Sequence, residues 1–428
     1  MSGTRPGANP GAKPGAKPGA KPGAKPGAKP GAKPGRSSAG SSASSSRKVS
    51  MGSEAVTALT ANMSRFQDIV GKAMQVMHPM SGEWSLLKVT GSVPSGRYNA
   101  AVNVIGSNMY VFGGTKGGGR RLHFNDVYVL NLETGEWTMP RVSGTPPSPR
   151  QQVASAVVGS QIFYFGGIDS RKVARFDDLY ILDTETMSWI APETSGDSPT
   201  ARSGASAAFF NGVFMVIFGT NSEGMAVNDA YVLDVDTFAW SEHTHAGFDP
   251  FAEEEERLID AGASLADIVT ARALNANPIP PARTEAAVEV VGDALYVFGG
   301  FSARGQHLHD MRYLRNETWK QPFFYGPHTR GVRNHTISCL SDCLLYVFGG
   351  ENLGASFCTN SNLVVFNTET HTRWQMTASG DVPASRTGHG SVAFGNSLYI
   401  FGGYTNKACA DVYVFTPTAP DAGASSSS

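Results

Sequence analysis

The chain has 428 residues, a formal net charge of −1, 41% hydrophobic and 17% charged residues. That length holds one large domain with appendages, and no apolar run approaches the roughly 20 residues of a membrane helix. The near-zero charge hides an asymmetry: the first 53 residues carry ten Lys or Arg and no acid, which by difference leaves about −11 for the rest.

From the N-terminus, Lys13 to Lys33 recur every fourth residue in the tetrapeptide Gly-Ala-Lys-Pro. Proline at that density precludes a stable helix and favours an extended, solvated chain. Residues 1–53 are therefore expected to be a disordered basic tail, with no apolar stretch to act as a signal peptide. Such an arm either contacts a polyanion through counterion release or only solubilises the chain, and composition leaves both open. From Glu54 to Met77 the apolar residues Val56, Leu59, Met63, Phe66, Val70, Met74 and Met77 fall at steps of three and four. That spacing predicts an amphipathic helix over 54–78, expected to pack on the domain C-terminal to it.

From about position 80 one unit recurs. An apolar run ends in Gly113-Gly114, a loop leads to Asp126 and Tyr128, and Trp137 closes the unit. The order returns with Gly166-Gly167, Asp178, Tyr180 and Trp189, and with Gly219, Asp229, Tyr231 and Trp240. It returns again with Gly299-Gly300, Asp310, Tyr313 and Trp319, with Gly349-Gly350, Asn362, Val364 and Trp374, and last with Gly402-Gly403, Asp411 and Tyr413. The first-glycine spacings are 53, 53, 80, 50 and 53 residues. A period near fifty is that of kelch repeats, and the chain resembles the kelch β-propeller family.

The residues support this independently. Runs such as QIFYF are short, continuously apolar and rich in β-branched and aromatic residues, as befits a strand buried on both faces. A diglycine at the end of such a strand permits close backbone approach. All six tryptophans, with Trp84 as the sixth, share one phase and are expected to be core. Trp84 has no diglycine before it and Tyr413 has no tryptophan after it, so the strand around Trp84 should complete the last blade. The expectation is an all-β, six-bladed propeller over 80–417, with an insertion at 244–279 and a disordered tail at 418–428.

Ahead of each glycine pair stands an arginine: Arg97, Arg150, Arg202, Arg283, Arg333 and Arg386. In similar kelch proteins arginines at this phase line the channel mouth, so the resemblance implies that these hold an acidic partner segment, a task suited to the guanidinium fork. The alternative is that they bond backbone carbonyls between blades. The loops after the second strands add Arg120, Arg121, Arg171, Lys172 and Arg175 to the partner-binding candidates. The insertion carries the acidic run Glu253–Glu256 and should emerge on the same face.

His307 and His309 lack a third ligand, so no metal site is expected, nor a cofactor. Cys339, Cys343, Cys358 and Cys409 show no CxxC pattern and read as free thiols of a reducing cytosol, with cytoskeletal and nuclear placement as alternatives. No nucleophile or phosphate-loop motif appears. The sequence therefore reads as a non-enzymatic interaction scaffold or adaptor that binds a protein segment on the loop face. A cytoskeleton- or nucleic-acid-associated protein driven by its tail, and a small-molecule enzyme or specifier at the channel mouth, are the alternatives.

Overall fold

The computed structural model describes residues 81–117, 122–243, 258, 264, 279–352 and 363–418. The expected tail at 1–53, the expected tail at 418–428 apart from Thr418, the helix at 54–78 and all but three residues of the insertion lie outside the described residues.

Six blades of four antiparallel strands form a propeller. In blade one the strands are Ala101–Ile105, Asn108–Phe112, Val127–Asn131 and Glu136–Thr138. The second strands Asn108–Phe112, Gln161–Phe165, Val213–Ile217 and Leu344–Phe348 each follow one half-buried residue with four buried ones. Their apolar runs are continuous because a neighbouring blade covers each face.

The ring closes on a shared blade. Ser81–Leu86 pairs antiparallel with Val412–Pro417, placing Trp84 opposite Phe415, and parallel with Thr377–Gly380. The edge of Val412–Pro417 and the outer side of Ser81–Leu86 are thereby paired. All six tryptophans are buried, and five pack at a tilt or edge-on against the aromatic that ends or follows the second strand of the preceding blade. The pairs are Trp137 with Phe401, Trp189 with Phe112, Trp240 with Phe165, Trp319 with Phe218 and Trp84 with Phe348, at centroid distances of 5.1–6.3 Å.

Gly113 and Gly114 show why the pair is glycine: φ is +67° and +86°, and a Cβ on either would lie 2.9 Å from a neighbouring atom. The Gly114 amide donates to the carbonyl of Arg150 in the next blade, and the same bond recurs around the ring.

Two blades depart from the expected register. In blade three Phe218, at φ +63°, takes the first glycine's place and Gly219 the second, because Arg202 bonds the Phe218 carbonyl and the Gly219 amide bonds Arg283. The count of Gly219 as a first glycine is thus one residue late, and Thr220 pairs with Ser203. In blade five a bulge between Cys339 and Ser341 adds a residue to the first hairpin. The Gly300 amide therefore bonds the carbonyl of Val332, not of Arg333.

Candidate functional site: the loop face and the channel mouth

The loop after each second strand pairs with the segment entering its own blade, as in Tyr98 with Thr115, Gln151 with Ile168, Ser203 with Thr220 and Thr387 with Tyr404. Both loop sets therefore share one face.

Beneath that face five arginines are spent on the protein itself. Arg97 pairs with Asp126 at 2.6 Å, Arg202 with Asp229 at 2.7 Å, Arg283 with Asp310 at 2.8 Å, Arg386 with Asp411 at 2.7 Å, and Arg150 with Asp178. In each, Nη1 also donates to the carbonyl of the first glycine position and Nε to a carbonyl two residues back. Arg150 and Arg202 engage all five donors. These five side chains are buried, so the expectation that they face a partner's acidic segment is corrected; they bond carbonyls, as the alternative held, but those of their own blade and not between blades. The acids were visible as repeat markers, and their steady separation of 25–29 residues from the arginines was the signal that pairs them. Burial works to raise the Asp310 carboxyl, but the Arg283 and Arg312 guanidiniums prevail and hold it below the usual carboxylate range.

Arg333 differs because the bulge moves it one position on. Its side chain is 31% exposed, lies 4.5 Å over the Phe301 ring, pairs with Glu351 and approaches Glu285 at 3.3 Å. It alone of the six reaches the rim of the channel mouth.

That mouth is a closed ring of backbone hydrogen bonds. Asn99 donates to Gly388, Gln152 to Asn99, Gly204 to Gln152, Glu285 to Gly204, Asn334 to Glu285 and Gly388 to Asn334, at 2.7–3.1 Å. All six residues have φ between +52° and +62°. The six residues line a pocket of about 140 Å³ that shares Ala100, Val153, Ala205, Ala286, His335 and His389 with a channel of about 570 Å³ lined by the first strands. Burial raises the Glu285 carboxyl, with Arg333 opposing, and pushes Glu289 in the channel wall up to about 7. Burial also holds His335 down to about 3 and His389 well below the usual histidine value, so both rings are neutral.

Of the remaining candidates, Arg120 and Arg121 lie outside the described residues. Lys172 is exposed, Arg175 donates to Ser203 at 3.3 Å, and Arg171 is gripped by the buried Asp169 at 2.9 Å. His307 packs edge-on against Phe301 while His309 is exposed, and among the described residues no three His, Cys, Asp or Glu could hold a metal ion. Cys339, Cys343 and Cys409 are free thiols. No helix among the described residues is long and apolar enough to cross a membrane.

The KLHDC2/KLHL20/DRC7 Kelch-repeats domain matches residues 64–265 and 267–420. Acyl-CoA-binding domain-containing protein 4 of Arabidopsis thaliana is 33% identical over 201 residues, which is 46% of this chain and 29% of that protein. Host cell factor of Drosophila melanogaster is 25% identical over 367 residues, 78% of this chain but 20% of its own length. Kelch domain-containing protein 1 of Mus musculus is 24% identical over 319 residues, covering 68% of this chain and 71% of that protein.

Proposed function

The chain belongs to the KLHDC2/KLHL20/DRC7 Kelch-repeats domain family, and from that membership we propose that it is a non-enzymatic protein-interaction scaffold whose loop face binds a partner segment. What carries this reading is the set of five buried arginines paired with aspartates under the loops. They hold the loops of a closed ring in one arrangement, while the tips differ from blade to blade in length, charge and apolar content. A preorganised, variable surface on a rigid frame is what recognition needs, since little ordering entropy is lost on binding. The partner segment is acidic, matching the exposed cations Lys116 and Lys172, and residues 1–53 tether the protein to a polyanion. The protein acts in the cytoplasm, or in the nucleus or on the cytoskeleton if its tail directs it there.

Capture by the full chain is to be compared with capture by a chain lacking residues 1–53. Proteins retained by the shorter chain, and lost when Lys116 and Lys172 are both changed to Glu, support the loop face. Retention through that reversal removes it. The alternative of a small-molecule specifier in the channel is favoured only by Glu289, whose carboxyl is pushed up to about 7. A small molecule that copurifies, and whose binding is lost in Glu289→Gln, would support that alternative.

A further inference from the structure

The tip of the blade-two loop holds its backbone in a conformation its residue disfavours. Val173 has φ +54° and a side chain 76% exposed to solvent. The same turn in blades three and four is made with glycine, Gly224 at +81° and Gly305 at +76°. In those loops the glycine amide bonds Asn221 and Ser302; in blade two the corresponding bond is Lys172 to Asp169, and one extra residue passes the left-handed position on to Val173. A β-branched residue there is strained, and no packing compensates a side chain so exposed. The fold has no use for this valine.

The loops of blades one and two are tied together beside it. Leu122, 48% exposed, accepts at its carbonyl the amide of Lys116 and precedes His123, whose ring lies 2.8 Å from the Ser170 hydroxyl at the base of the blade-two tip. Arg171 is preset on that tip by two bonds and a backbone contact to Asp169. Two exposed apolar side chains and three cations thus stand on two loops tied to each other.

We propose that this patch is the docking site for a partner segment that carries an apolar side chain next to an acidic one. The apolar group covers Leu122 and Val173, and the carboxylate meets Lys116, Arg171 and Lys172. This rests on the reading that the loop face binds a protein segment, and gives that segment its chemistry. Strain retained at an exposed apolar knob is explained by a contact made only in the complex.

The test is a random-peptide display library panned on the full chain, with synthetic peptides from the enriched pool measured against variants. The expected result is that enriched peptides pair an acid with an apolar residue, and that Val173→Gly weakens them about tenfold while raising the melting temperature by about 2 °C. Leu122→Ser should weaken them similarly, and Lys172→Glu should do so most at low salt. Peptides weakened by Lys172→Glu but unaffected by Val173→Gly and Leu122→Ser would overturn the patch and leave the loop face standing. A library with no enrichment, or a dimer that depends on Val173, would overturn this proposal.

Discussion

The Nη1 group of Arg202 donates to the main-chain carbonyl of Phe218 at 3.0 Å, the bond that Arg97 makes to Gly113 at 3.1 Å. A phenylalanine thus holds a left-handed position filled by glycine in the other blades, and its ring is buried against Trp319 and beneath Arg283.

Phe218→Gly therefore sets two effects against each other. Relief of positive φ is worth about 1 kcal/mol, while loss of a buried phenylalanine costs about 3–5 kcal/mol. Chemical denaturation should show a net loss of about 2–4 kcal/mol. A gain in stability would mean that strain outweighs packing at this position.

Closure depends on Trp84, which lies 5.2 Å from Phe348 and 5.1 Å from Phe415 between blades five and six. Starting the chain at residue 93 removes that ring and uncovers the edge of Val412–Pro417, and should cost at least about 4 kcal/mol. Starting it at residue 51 should leave thermal melting nearly unchanged. Equal melting of the two shortened proteins would refute the shared blade.

The arginines separate into two classes. Arg283→Ala leaves Asp310, 14% exposed, with Arg312 as a remaining partner and takes a donor from the Gly299 carbonyl, and should cost about 2–3 kcal/mol; Arg333→Ala, in a partly exposed network, should cost about 1 kcal/mol or less. Arg150→Glu places a carboxylate against Asp178 and should unfold the domain, not merely abolish binding. Circular dichroism of the three variants at one temperature checks the order.

Two carboxylates give opposite pH dependences. The Glu289 pKa is raised from 4.5 to about 7 in the fold, so its contribution is present below about 4.5 and lost as pH rises through about 7. Glu289→Gln, which can keep the bond from the Cys339 amide, should flatten that window and stabilise the protein at pH 8 by up to about 2 kcal/mol. Asp310 is depressed from 3.8, so its contribution is present above that value and is lost as pH falls below it. Asp310→Asn should remove part of the acid-induced loss of stability. Melting curves from pH 3 to 8 read both effects.

The architecture was legible in the repeat alone. Glycine, aspartate and tryptophan recur at a fixed phase because every blade solves the same packing problem, and the unmatched ends at Trp84 and Tyr413 specify how the ring closes. What the sequence left open was the register within a repeat. A one-residue bulge near Leu340 and the substitution of Phe218 for glycine leave the period almost unchanged, yet they decide which backbone carbonyl meets which arginine. It took the folded chain to establish that Arg150 is buried on Asp178 while Arg333 reaches the channel rim. Side-chain fate depends on which groups converge from separate strands and neighbouring blades, and the spacing of a repeat records when residues recur, not whom they meet. The strained Val173 was hidden for the same reason, since φ is set by the length of a turn and the bonds that close it.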